Sequence, residues 1–225
     1  MVSNGRVTVF GSSQVFPDDV VYRDAVRLGR LLAEAGYTLY TGGYSGVMEA
    51  VSRGAVEAGG RAVGVTVSSW ASRIQPNEWV DEEIAMPDLF QRISRLTATD
   101  AYVAMPGGLG TLGEVALTWN LFQTHSIPRR PLVLVGRPWR DALECLRGAV
   151  RIEPRDLELV RLVRRVEDVV PAIRAGAPTG RSTRPAATPS GTRGAERPSS
   201  RRRDRAGDRR RGRRTPRLDR RRRRS

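Results

Sequence analysis

Lysine is absent from all 225 residues. A Walker A loop needs its lysine on the nucleotide phosphates, and a Schiff-base enzyme needs one as nucleophile, so both chemistries are excluded. Arginine fills every long basic position, which also fits a GC-rich coding sequence. Cysteine occurs once, as Cys145; no intramolecular disulfide can form, and a reducing cytoplasm is the expected compartment. His125 is the sole histidine, which argues against a histidine-based metal site or a Ser-His-Asp triad. No metal-ligand cluster stands out, and neither a metal nor a cofactor is expected. Long apolar runs are missing too. The opening "MVSNGRVTVFGSS" is too short in apolar residues for a signal peptide, and no stretch is long enough to span a membrane.

Hydrophobic residues make up 39% of the chain, low for a wholly globular protein, so part of it is not expected to fold. Charge shows which part. Residues 1–175 carry 20 Arg against 20 Asp and Glu, whereas residues 176–225 carry 19 Arg against 4 acids and supply the whole excess of +15. The neutral body, 1–175, reads as one folded domain. The segment 176–225, ending "RRRDRAGDRRRGRRTPRLDRRRRRS", has almost nothing to bury and reads as a disordered basic tail. Such a tail could bind nucleic acid or another anionic surface through phosphate contacts. It contains no aromatic residue, which disfavours stacking on single strands, and an extension without function is the plainer reading.

Within the body, β-branched runs alternate with amphipathic stretches. "RVTVFGSS" (6–13) reads as a buried strand entering a Gly/Ser turn, and "DAVRLGRLLAEAG" (24–36) as a helix ending on a glycine. A strand over 37–43, a helix over 45–60 and a strand over 61–67 follow. Residues 68–87 show no period and read as a long loop in which Asp81, Glu82 and Glu83 are solvated. A helix over 88–98, a strand over 101–106, a helix over 111–124 and a strand over 131–136 come next. Helical segments near 138–150 and 157–174 close the body, with Cys145 read as a buried apolar residue. This alternation predicts an α/β fold, a Rossmann-like doubly wound parallel sheet of about five strands with helices on both faces.

Ligands of such sheets bind beyond the carboxyl ends of the strands. Three strands end there in Gly/Ser-rich turns: Gly11, Ser12 and Ser13; Gly42, Gly43 and Gly46; and Gly107, Gly108 and Gly110. Bare backbone lets peptide N–H groups at a helix start close around a phosphate. Neither of the last two loops matches the dinucleotide fingerprint, and their placement on neighbouring strands suggests one mononucleotide-sized anion. Glu114 follows Thr111 by three residues. Local pattern allows two readings: a capping box at the helix start, with Thr111 as its cap, or a carboxylate placed for chemistry.

"PGGLGTLGE" (106–114) resembles the P-G-G-x-G-T-x-x-E signature of the LOG (lonely guy) family of nucleoside 5′-monophosphate phosphoribohydrolases. "YTGGYSGVMEAVSRGAVEAGGRAVGV" (40–65) is similar to that family's glycine stretch, and "VFGSS" (9–13) to its opening turn. The likeness covers roughly residues 6–136. It implies cleavage of the N-glycosidic bond of an N6-modified adenosine 5′-monophosphate to free base and ribose 5-phosphate, in a homodimer. It puts the essential Glu on Glu114, and a carboxylate suits a transition state that resembles an oxocarbenium ion. The family's second catalytic residue, an Arg, falls on Gln91. Helical spacing with Leu89, Ile93 and Leu96 on the buried face sets Arg92 on its flank. Arg92 is therefore the residue expected beside Glu114; a solvated surface Arg is the alternative. Glu49 stands where the family has a small residue and is unfavourable near a phosphate unless turned away.

Smaller expectations complete the reading. Ser12, Ser13 and Thr111 are candidate ligand contacts. Trp119 and Phe122 read as core or a helix seam before a stacking platform, and His125 as structural. The rival function is a non-catalytic nucleotide or molybdenum-cofactor carrier on the same fold.

Overall fold

The structure, a computed structural model, describes residues 4–176, so the basic segment read as disordered lies outside the described residues. Its strands are β1 (Arg6–Phe10), β2 (Thr38–Thr41), β3 (Ala62–Val67), β4 (Glu82–Met86), β5 (Ala101–Ala104), β6 (Leu132–Val135) and β7 (Arg161–Val163). They form one sheet in the order β4-β3-β2-β1-β5-β6-β7, with every pair parallel. The helices are α1 (Val20–Glu34), α2 (Val47–Glu57), α3 (Leu89–Leu96), α4 (Leu109–Gln123), α5 (Arg137–Ala149), α6 (Pro154–Leu157) and α7 (Val169–Gly176). The expected doubly wound α/β architecture is present.

The sheet has seven strands, not about five. β4 lies within the span read as a loop, and β7 within the span read as helical. Both are edge strands, so neither shows the continuous apolar run of a strand covered on two faces. β4 begins with the exposed Glu82 and Glu83, and β7 has only three residues, the first two exposed. The inner strands do alternate into two cores. Val7, Val9, Ala101, Val103 and Val133 pack with α1, α2 and α7. Phe10, Tyr102, Leu132 and Leu134 point the other way, against Leu96 of α3, Val115 and Phe122 of α4 and Trp139 of α5.

One local reading changes, and others hold. Cys145 is exposed rather than buried. Phe122 is core, packed on Tyr102, and Trp119 donates its indole N–H to the Asp156 carbonyl at 2.7 Å. His125 ends α4 at φ 55°. Its N–H reaches Phe122 O and the Ser126 N–H reaches Leu121 O, the paired bonds of a Schellman stop. Among the described residues no helix is long and apolar enough to cross a membrane.

The order reverses at β1: β2, β3 and β4 extend to one side, β5, β6 and β7 to the other. The crevice of such a fold opens at this reversal. α1 and α2, which connect the strands on one side, touch closely enough that a Cβ on Gly54 would sit 1.8 Å from the Val26 carbonyl oxygen. Backbone cannot yield as a side-chain tip does. Gly54→Ala is therefore expected to cost about 2–3 kcal/mol. That is a fall in Tm of roughly 4–10 °C in a thermal melt.

Candidate active site

The loops after β1 and β5 meet over a cleft of about 650 Å³ lined by Gly11, Ser12, Ser13, Gly108, Gly110, Thr111, Arg92 and Glu114. α4 starts at Leu109, two residues earlier than expected, with Gly108 as its N-cap and no side chain capping it. Thr111 is thus inside the first turn and cannot cap it, which removes the capping-box reading of Glu114. Nothing stands within 4 Å of the Cβ position at Gly108, Gly110 or Gly113, so the helix start is open. Free N–H groups and the positive end of the helix dipole there favour an anion. Gly107 is needed for a different reason: a Cβ there would lie 2.2 Å from Thr111 Oγ1.

Gly42, Gly43 and Gly46 do not line the cleft. All three are buried, and β1 separates their strand from β5, so the two loops are not on neighbouring strands as expected. Gly46, at φ +71°, packs on the backbone of Ser12 and Ser13, and Gly43 on Gly64 and Thr66. Gly42 makes room: a Cβ on it would sit 1.8 Å from Arg92 Nη2. The third loop thus supports the cleft from beneath. Glu49 turns away and accepts a 2.7 Å hydrogen bond from the Tyr22 hydroxyl.

Arg92 is 6% exposed, inside the protein rather than on a solvated flank. Of the face expected to be buried, Leu96 is, whereas Leu89 is 42% exposed. The Arg92 Nε donates to Val65 O at 2.8 Å and Nη1 to Glu114 Oε1 at 3.2 Å. Gln91 remains exposed, with its N–H and its amide both donating to Asp88, the α3 N-cap. Burial pushes the Glu114 carboxyl above the usual carboxylate range, and the Arg92 guanidinium pulls it only part of the way back. Among the described residues no group of three or more His, Cys, Asp or Glu could hold a metal ion.

The cleft is also lined by aromatic and apolar side chains: Tyr44, Met48, Trp70, Ile74 and Ile93. The sequence reading missed Tyr44 and Trp70. An aromatic residue set among loop glycines in "TGGYSG" was the available signal for Tyr44. Trp70 lies on a single 3₁₀ turn, Ser68–Trp70, which leaves no periodic trace.

A family model described as "Possible lysine decarboxylase" matches residues 48–173, more than half of the chain. A cytokinin riboside 5′-monophosphate phosphoribohydrolase of Arabidopsis thaliana, LOG1, is 31% identical over 181 residues, 74% of this chain and 84% of its own. The chain belongs to the LOG family. A Mycobacterium tuberculosis protein of the same phosphoribohydrolase name is 32% identical over 165 residues, 69% of this chain and 84% of its own. Among solved structures, the molybdenum cofactor binding protein of Rippkaea orientalis superposes with a TM-score of 0.62 at 26% identity, covering 78% of this chain and 98% of that one. Both a hydrolase name and a cofactor-binding name therefore occur among these similar proteins. The chain has no lysine for a Schiff-base decarboxylation.

Gly42→Ala is expected to lower stability, because the Cβ meets Arg92 Nη2 and Met48 Sδ, and the guanidinium can yield only by giving up its pairing with Glu114. The displaced guanidinium no longer lowers the Glu114 carboxyl, so NMR titration of that carboxyl should give a pKa higher still than in the unsubstituted protein.

Proposed function

We propose that the protein hydrolyses the N-glycosidic bond of an adenosine 5′-monophosphate, with or without an N6 substituent, to free base and ribose 5-phosphate. The observation that carries this reading is Glu114, a largely but not fully buried carboxylate lining a cleft together with an uncapped helix start. The helix start takes the phosphate through the N–H groups of Gly108 to Thr111, helped by the Ser12, Ser13 and Thr111 hydroxyls. The ribose then lies between the phosphate and Glu114, and the base lies against the apolar wall. As the C1′–N bond breaks, its electron pair leaves with the base and positive charge grows on the sugar. The Glu114 carboxylate stabilises that charge and orients the water that attacks C1′. The water's oxygen ends on C1′ and its proton on the base. Arg92 holds the carboxylate in place and keeps it ionised.

The names borne by the Arabidopsis and mycobacterial relatives support this reaction. The Rippkaea superposition favours a second reading, a carrier that binds a phosphate-bearing cofactor without turnover. A homodimer is also proposed: α4 exposes Leu109 at 85% and Leu112 and Leu117 at 39% each, and α3 exposes Phe90 at 83%. A surface of this kind commonly marks an interface. Sedimentation should give twice the chain mass of 24.9 kDa, and Leu117→Arg should return the monomer.

Incubation with a panel of nucleoside monophosphates should release base and ribose 5-phosphate together. Glu114→Gln should lower that rate by roughly 10³-fold while leaving nucleotide binding measurable by calorimetry. Binding with no release from any monophosphate, and no effect of Glu114→Gln, would establish the carrier instead. The raised Glu114 pKa sets the pH dependence. The protonated form is favoured in the folded protein, so its contribution to stability is present below the unfolded value and lost as pH rises through the folded one. Activity needs the ionised form and runs the other way, so the acid limb of kcat/KM should lie above the ordinary glutamate range. Arg92→Gln should move it higher.

A further inference from the structure

Tyr44 is 5% exposed, yet it lies on the cleft wall and touches three unlike groups. Its hydroxyl accepts the Val67 N–H at 2.9 Å, at the exit of β3 where the chain enters the 3₁₀ turn Ser68–Trp70. The Trp70 ring, half-buried at the end of that turn, stands 6.0 Å from the Tyr44 ring at 35°. The Arg92 guanidinium carbon lies 5.8 Å from the Tyr44 ring centroid, within the range of a cation–π contact. One ring thus joins the residue beside Glu114 to the Trp70 indole, which also lines the cleft.

We infer that Tyr44 is a positioning residue that sets two distances at once, from Arg92 to Glu114 and from the Trp70 indole to the sugar site. Trp70 is then the surface on which a purine base packs, and Tyr44 fixes its depth. The two functions separate chemically. The hydroxyl anchors the turn that carries Trp70, whereas the ring face steadies Arg92. A planar base with a small apolar substituent suits this wall, which Met48 and Ile74 also line.

The inference rests on the proposed hydrolysis for its kinetic readouts, but not for its optical one. Tyr44→Phe keeps the ring and loses the bond to Val67. It should raise KM about 3–10-fold, the value of one hydrogen bond, with kcat within about twofold. Tyr44→Leu also removes the ring. It should lower kcat as well, by roughly tenfold or more, and shift the acid limb of kcat/KM upward, since a loosened Arg92 lowers the Glu114 carboxyl less. The emission component that disappears in Trp70→Phe reports the indole directly. In Tyr44→Phe that component should shift to the red as the turn loosens. Unchanged Trp70 emission in both variants overturns the positioning role, whether or not the protein turns over any nucleotide. So does a loss of Tm with KM, kcat and pH profile unchanged, which marks a purely structural residue. If the unsubstituted protein releases no base while the Trp70 emission still shifts, the hydrolysis falls and the positioning role stands.

Discussion

A guanidinium and a carboxylate leave water together at the centre of this protein, and much of the cleft exists to make that tolerable. A buried ion pair is stable only when its remaining donors and acceptors are met. Arg92 answers this with the Val65 carbonyl, the Tyr44 ring face and the space left by Gly42. These come from β3 and from the loop after β2, so both are tied to one side chain of α3. The compensation is incomplete on the acid's side, since burial still holds Glu114 above the usual carboxylate range. A carboxylate that is imperfectly stabilised at rest gains more when positive charge develops beside it.

Much of the fold was legible because central parallel strands are buried on both faces and therefore read as unbroken apolar runs. "RVTVF", "AVGVTV" and "LVLV" announce β1, β3 and β6. β4 and β7 were illegible for the same reason reversed, since an edge strand needs few apolar residues and benefits from charges that discourage pairing with another chain. Within the site, the anion-ready helix start could be read from its glycines, whereas spacing left Glu114 between a cap and a catalyst and only the family resemblance singled it out. The depth of Arg92 could not be read. An arginine becomes buried when a glycine distant in the chain leaves room and a carbonyl meets its charge, and neither condition is local. The same holds for Gly42, Gly43 and Gly46, whose bare backbone serves packing and not ligand contact.

The position of the cleft follows from chain topology. Strand order reverses at β1, so the connections after β1 and β5 depart to opposite faces and leave a crevice between them. Similar proteins carry different names, one a phosphoribohydrolase and one a molybdenum cofactor binding protein. Chemistry on this fold therefore depends on which side chains reach the crevice rather than on the crevice itself.

The turn after β1 is stitched to both its neighbours. Ser12 N–H reaches the Pro106 carbonyl, Val47 N–H reaches the Ser12 carbonyl, and the Ser45 hydroxyl donates to the Ser13 carbonyl. Three separate connections thereby behave as a single rigid plate. The entropy of arranging it is lost during folding, so an arriving anion meets a surface already in shape and its association is weakened little by ordering.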